Sequence, residues 1–206
     1  MNNETKIKDM EIEMLRNQLE IYEKLLKDTM PSQSINNFTY INNMYANAPP
    51  LEAHESYDNL LEAKKSTLIE ILTLYHEQNR IASFVGDYII KYYKKDEPKE
   101  QSMWSSDVSR LTYIINKVCS KKGNIWTYDK KGNHLKKLII EPALEYIRNH
   151  CYEYCQKNGQ STKRNILEQM LAANSIIMMI DSGELANDIV KYIAPEFTLK
   201  QLENNV

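Results

Sequence analysis

Eight basic side chains fall within one stretch of the chain, residues 104–140: Arg110, Lys117, Lys121, Lys122, Lys130, Lys131, Lys136 and Lys137. Only Asp107 and Asp129 oppose them there, giving a local charge of +6 in a chain of net charge −2, so that −8 is left for everything else. Ammonium and guanidinium groups at this density suit phosphate oxygens, since each contact releases condensed counterions and needs no base sequence. Arg110 is the one candidate there for bidentate recognition of a base edge. Tyr113 and His134 fall in the same stretch and complete the nucleic-acid-binding candidates. A plainer role competes with this one: lysines on a hairpin keep an exposed edge from pairing with other chains.

A second constellation is His150-Cys151-Tyr152-Glu153-Tyr154-Cys155, with Cys119 elsewhere in the chain. Zinc takes Cys and His, but its strong signature is Cys-x2-Cys in a loop, whereas Cys151 and Cys155 are spaced for one helix face. Buried free thiols are the alternative, and the one favoured, because free cysteine is among the most buried residue types. No metal or other cofactor is therefore expected. Nor does an enzyme emerge. His54, His76, His134 and His150 are scattered, no Ser or Cys has a nucleophile setting, and none of the five glycines belongs to a phosphate-cradling loop.

The elements that must position these residues are mainly helical. Ile12, Leu15, Leu19, Tyr22 and Leu26 step by 3, 4, 3 and 4, the seam of a coiled coil. Residues 1–30 are accordingly read as an oligomerisation helix; the alternative is an amphipathic helix folded back on its own domain. Residues 31–59, rich in Asn, Ser and Pro and interrupted by Pro49-Pro50, read as a linker, with a short strand around Phe38, Tyr40 and Met44 as a variant. Residues 60–206 read as a helical domain. Apolar spacing predicts helices over 64–77 and 80–93, a charged loop through "KKDEPKEQ", and a third helix over 107–120 capped by Ser105 or Ser106. A lysine-studded β-hairpin over 124–140 follows, with Trp126 and Tyr128 packed on the body beside Ile139. Pro142 opens a helix that Gly159 closes. A longer helix over 162–181, apolar nearly all round, should be deeply buried, with Met170, Met178 and Met179 in the core. A short helix ending at Pro195 comes last.

Three helices followed by a hairpin spell a winged-helix order, in which the third helix enters the major groove and the wing touches backbone. Ser106, Arg110, Tyr113, Lys117 and Lys121 would be that helix's outward stripe, and Lys122, Lys130, Lys131, His134, Lys136 and Lys137 the wing. Against it stands the loop between the second and third helices, which is longer than a helix-turn-helix uses.

Three stretches, "SMWSSDVSRLTYIINKV", "IWTYDKKGNHLKKLIIEPALEYI" and "IVKYIAPEF", resemble a group of uncharacterised proteins of giant viruses, the nucleocytoplasmic large DNA viruses of the mimivirus type. In that group a coiled coil leads, an Asn-rich linker follows and a helical domain carries these stretches, so the resemblance covers nearly the whole chain. Some members have N-terminal zinc fingers, which this sequence lacks. The resemblance implies a viral protein of the host cytoplasm, the viral factory or the virion, and brings no functional residues with it. The absence of a signal-peptide core and of a long apolar run predicts a soluble chain that is neither secreted nor membrane-bound.

Together these readings predict a non-enzymatic homo-oligomer, joined through its N-terminal helix, whose mainly α domain presents a basic surface to nucleic acid. The competing prediction is a structural or adaptor protein of the virion or replication compartment that contacts only protein, other viral proteins among them.

Overall fold

The computed structural model describes residues 32–57, 66–119 and 123–199, together with Ile12, Arg16 and Leu60. It divides the chain into two compact units, Met1–Met44 and Tyr45–Val206. In the first, helix α1 spans Ser32–Met44, where the sequence suggested a linker or a short strand. Of the proposed coiled-coil seam only Ile12 is described; it is helical and 49% exposed. Leu15, Leu19, Tyr22 and Leu26 lie outside the described residues.

The second unit is mainly helical with a three-stranded antiparallel sheet of order β1-β2-β3. Helix α2 (Leu68–Glu77) opens with a capping box, Thr67 and Glu70 each accepting the other's backbone N–H, which satisfies two donors the first turn would otherwise leave unpaired. Asn79, at φ 53°, takes the left-handed turn that separates it from α3 (Ile81–Tyr93), a conformation Asn tolerates better than most residues. Gly86 of α3 lies directly against the ring of Tyr192 in α6 (Glu184–Ile193), so the absence of a Cβ there lets the two helices approach closely.

The segment predicted as the third helix is instead the first hairpin of the sheet: β1 is Met103–Asp107 and β2 is Thr112–Cys119. The expected helix cap, Ser105, is a buried strand residue paired with Tyr113. Strand β3 (Gly123–Asp129) pairs with β2 from Tyr113↔Asp129 to Cys119↔Gly123. The predicted hairpin over 124–140 therefore keeps its first strand but pairs it with the chain before it. Residues 130–140 return as helix. A 3-10 turn (Lys130–Gly132), one α turn (Asn133–Leu135) and a π turn (Lys136–Ile140) run into α4 (Glu141–Asn158). Pro142 thus lies inside a longer helical rod. Having no N–H for the Leu138 carbonyl, it needs a relaxed turn before it, and the π turn supplies one. The winged-helix order is lost with the third helix and the second wing strand.

Both faces of the sheet are covered. Met103, Tyr113 and Ile115 join the helical core with Ile139, Ile147, Ile176, Ile189 and Ile193. The opposite face carries Trp104, Ile114, Asn116 and Trp126, all buried, and residues 45–51 lie across it as a strap. The Trp126 indole N–H donates to the Tyr45 carbonyl at 2.9 Å, Asn116 Nδ2 donates to the Ala48 carbonyl at 2.7 Å, and the Leu51 N–H donates to the Asn116 carbonyl at 2.8 Å. Tyr45 stacks on Trp104 with ring centroids 5.8 Å apart. Pro49-Pro50 therefore belongs to a fixed cover rather than a linker, and Trp126 packs away from Ile139, on the other side of the sheet.

Helix α5 (Arg164–Asp181) buries Ala172, Ala173 and Ile176 against its neighbours. It is not buried all round: Leu171 and Met178 are 71% and 72% exposed. No helix among the described residues is long and apolar enough to cross a membrane.

Candidate nucleic-acid interface

Asp129 organises the basic region. Its carboxylate is 4% exposed and accepts the backbone N–H of His134 and of Leu135, each at 2.9 Å. A carboxylate at a helix start suits both the unpaired N–H groups and the positive end of the helix dipole. To reach it, the chain turns through two successive left-handed residues, Lys131 at φ 58° and Gly132 at φ 60°. Gly132 has no Cβ to meet Val190, whose methyl carbons lie 3.0 and 3.2 Å from where one would be. Lys131 takes the same conformation with a side chain, which costs roughly 1 kcal/mol or more, and it is exposed, as is Lys130.

From this turn the sheet and the rod share a corner. Lys117 lies on β2, on the same face as Tyr113 and Ile115, and is half-buried. His134 stands beside it. Burial first, then the charge of Lys117 and that of Lys137, push its imidazole below the ordinary histidine range, with Asp129 pulling the other way. Lys117, His134 and Lys137 therefore form one electrostatic cluster, and Lys130 and Lys131 project from the turn next to it. Among the described residues no carboxylate forms an ion pair with any of these four lysines.

Other predicted members fall elsewhere. Tyr113 is fully buried and its hydroxyl donates to the Val190 carbonyl at 2.7 Å, so it is a core residue and cannot stack on a base. Lys136 turns to α6, where its ammonium donates to Asn187 Oδ1 at 3.0 Å. Arg110 sits in the β1–β2 turn, 3.9 Å from Asp107; Ser109 and the backbone N–H groups of that turn hold the Asp107 carboxyl below its usual range. No helix presents Ser106, Arg110 and Lys117 as a stripe. Lys121 and Lys122 lie outside the described residues. Asp129, which the sequence suggested only as a stray negative charge, is the residue that builds the corner. Its signal was an acidic residue just ahead of "KKGNHL", a cap position read as a strand end.

Each histidine has a separate structural partner. His54 Nδ1 accepts the Ser56 N–H and its ring meets Tyr92 edge-on at 4.3 Å; His76 Nε2 pairs with Ser175 Oγ at 2.9 Å; His150 Nδ1 bonds the Tyr146 carbonyl at 2.9 Å. The Cys151 thiol is fully buried and pushed up to about 12 by burial, then by Cys155, so it is a core residue and a poor nucleophile. Among the described residues no group of three or more His, Cys, Asp or Glu side chains is placed to hold a metal.

The depressed His134 pKa has a direction with pH. A histidine held neutral by the fold contributes fully above its unfolded pKa of about 6.5, and that contribution is lost as pH falls through the folded value. A phosphate docked on the corner reverses the preference, so binding takes up a proton. Affinity for a polyanion is expected to rise severalfold between pH 7.5 and pH 5.5, and His134→Gln to flatten that rise. An equal rise in both proteins, measured by titration at matched ionic strength, would exclude His134.

Comparison with models of known protein families, with curated proteins and with solved structures gives no match in any of the three.

Proposed function

We infer that the chain is a non-enzymatic binding protein whose second unit contacts the phosphate backbone of nucleic acid through the corner of Lys117, Lys130, Lys131 and Lys137. The observation that carries this reading is the corner itself: Lys117 and Lys137 both depress the pKa of His134, Lys130 and Lys131 are exposed on the adjoining turn, and none of the four has an ion pair among the described residues. Lysines act here as point charges, which suits contact to phosphate rather than to base edges. Each corner is weak alone. Self-association through the N-terminal helix, the seam of Ile12, Leu15, Leu19, Tyr22 and Leu26, would let several corners act together. With the resemblance to giant-virus proteins, the reading places the chain in the host cytoplasm, the viral factory or the virion.

Fluorescence anisotropy with a labelled DNA duplex over a salt series tests the reading. Four phosphate contacts give a fall of log affinity with log salt of slope about −3 to −4 per corner. A slope near zero from folded protein would retire it. A second reading, a structural or adaptor protein making only protein contacts, is favoured by one observation: the exposed apolar stripe of α5.

A further inference from the structure

The two most exposed large apolar side chains among the described residues, Met178 and Leu171, lie on the same helix, α5, and Leu167 is a third at 43%. Leu167, Leu171, Asn174 and Met178 step by 4, 3 and 4 along it, the spacing of a two-helix seam, while Ala172, Ala173 and Ile176 face the core. Asn174 is exposed within the stripe and interrupts it with one polar side chain, whose Oδ1 lies 3.8 Å from the Cys155 thiol of α4.

The order of residues along the stripe points to the occupant. Reversed end for end, the stripe keeps its 4, 3, 4 spacing. In an antiparallel pair centred between Ala172 and Ala173, Leu167 faces Met178 of the second copy, Leu171 faces Asn174, and Arg164 faces Asp181. The ends are thus complementary in charge. Arg164 has 93% of its side chain exposed and uses Nε for Glu168 of its own helix. The Asp181 side chain is 51% exposed, with Oδ1 engaged by Arg148 at 2.8 Å and Oδ2 left to receive a second cation. Antiparallel packing also opposes the two helix dipoles. A parallel pair would instead set Arg164 against Arg164 and Asp181 against Asp181, and so lacks the charge complementarity of the ends.

We propose that α5 is a homotypic interface, pairing antiparallel with α5 of a second copy of this chain about a twofold axis near residues 172 and 173. It is independent of the lysine corner. Such an isologous contact closes on itself. Together with association through the N-terminal helices, which is the part of the proposed function it builds on, it gives each chain two distinct self-association surfaces. Oligomers would then be linked into an extended array.

The test is sedimentation velocity on the full chain over a range of concentrations, with circular dichroism on every sample. Wild type should show weight-average mass rising with concentration. Leu171→Glu should hold it at a lower plateau, as should Arg164→Glu alone or Asp181→Lys alone, each of which sets like charges opposite one another at both ends. An equimolar mixture of the last two variants restores opposite charges at both ends, and should recover the wild-type rise. Loss of the Asp181–Arg148 pair cannot produce that recovery. Equal masses for wild type and Leu171→Glu, or a mixture no heavier than its parts, would overturn the interface. Failure of the salt-dependent DNA binding would leave it untouched.

Discussion

Asp129→Ala is expected to lower the stability of the second unit by about 3 kcal/mol, because the change removes a buried, charged acceptor from two backbone donors at a helix start. Both bonds are 2.9 Å and Leu135, one of the donors, is fully buried. The turn at residues 130–132 that brings the donors to the carboxylate is itself held in two left-handed conformations. Against a total stability of order 10 kcal/mol the loss is large, and for a unit of this size it lowers the melting temperature by roughly 10 °C. Asp129→Asn keeps one acceptor and should lose about half as much. Urea unfolding followed by far-ultraviolet circular dichroism measures both, with the slope m unchanged if only stability is affected. Equal stability of wild type and Asp129→Ala would mean that the rod starts without its cap.

The second large effect is expected at Asn116. Asn116→Ala leaves the Ala48 carbonyl without its 2.7 Å donor in a site that is fully buried at residue 116, a loss of about 2 kcal/mol from the desolvated carbonyl and the cavity together. The effect is local, since the strap at residues 45–51 covers one face of the sheet and can lift before the helical core opens. The chain has two tryptophans, Trp104 and Trp126, and both lie under that strap, 9% and 6% exposed. The variant should therefore show red-shifted emission and greater iodide quenching in conditions where far-ultraviolet circular dichroism is still native. Unchanged quenching would mean that Leu51 and the Trp126–Tyr45 bond hold the strap without Asn116.

How much of this was legible in the sequence differs by element. Helices with one apolar face and clear ends read well: Ile81–Tyr93, the stop at Gly159, and Glu184–Ile193 with Pro195 beyond it. Strand β2 did not, for a physical reason. A strand covered on both faces shows a continuous apolar run instead of alternation, and Val108, Leu111, Ile115 and Val118 happen to match helical spacing. In fact Leu111 is left-handed and Val118 is 67% exposed. Asn116, directly after the apolar run Tyr113–Ile115, has a buried partner, but that partner, the Ala48 carbonyl, lies in a segment whose Pro-Pro pair suggests a linker. Helix α5 misled in the opposite sense: its apolar residues are right for burial on both sides, yet the unit covers only one.

The basic corner was half legible. Charge density singled out Lys117, Lys130, Lys131, His134 and Lys137 as candidates, and the fold sets Lys117 and Lys137 near enough to His134 to act on its charge. Composition could not reveal that Tyr113 points into the core or that Lys136 bonds Asn187 of α6. Those distinctions depend on the β2–β3 register and on the rod that replaces the second wing strand.

That difference supplies the most direct test of the account. Duplex-DNA anisotropy would be measured at low and high salt for wild type, for Lys136→Ala, and for a variant with Lys117, Lys130, Lys131 and Lys137 all changed to Ala. The corner predicts that Lys136→Ala loses far less affinity than the quadruple variant, since its ammonium, though still charged, is drawn to Asn187. The quadruple variant should lose most of its affinity and nearly all of its salt dependence while remaining folded. Equal binding by wild type and the quadruple variant, or no binding by either, would contradict the assignment of this corner to nucleic acid.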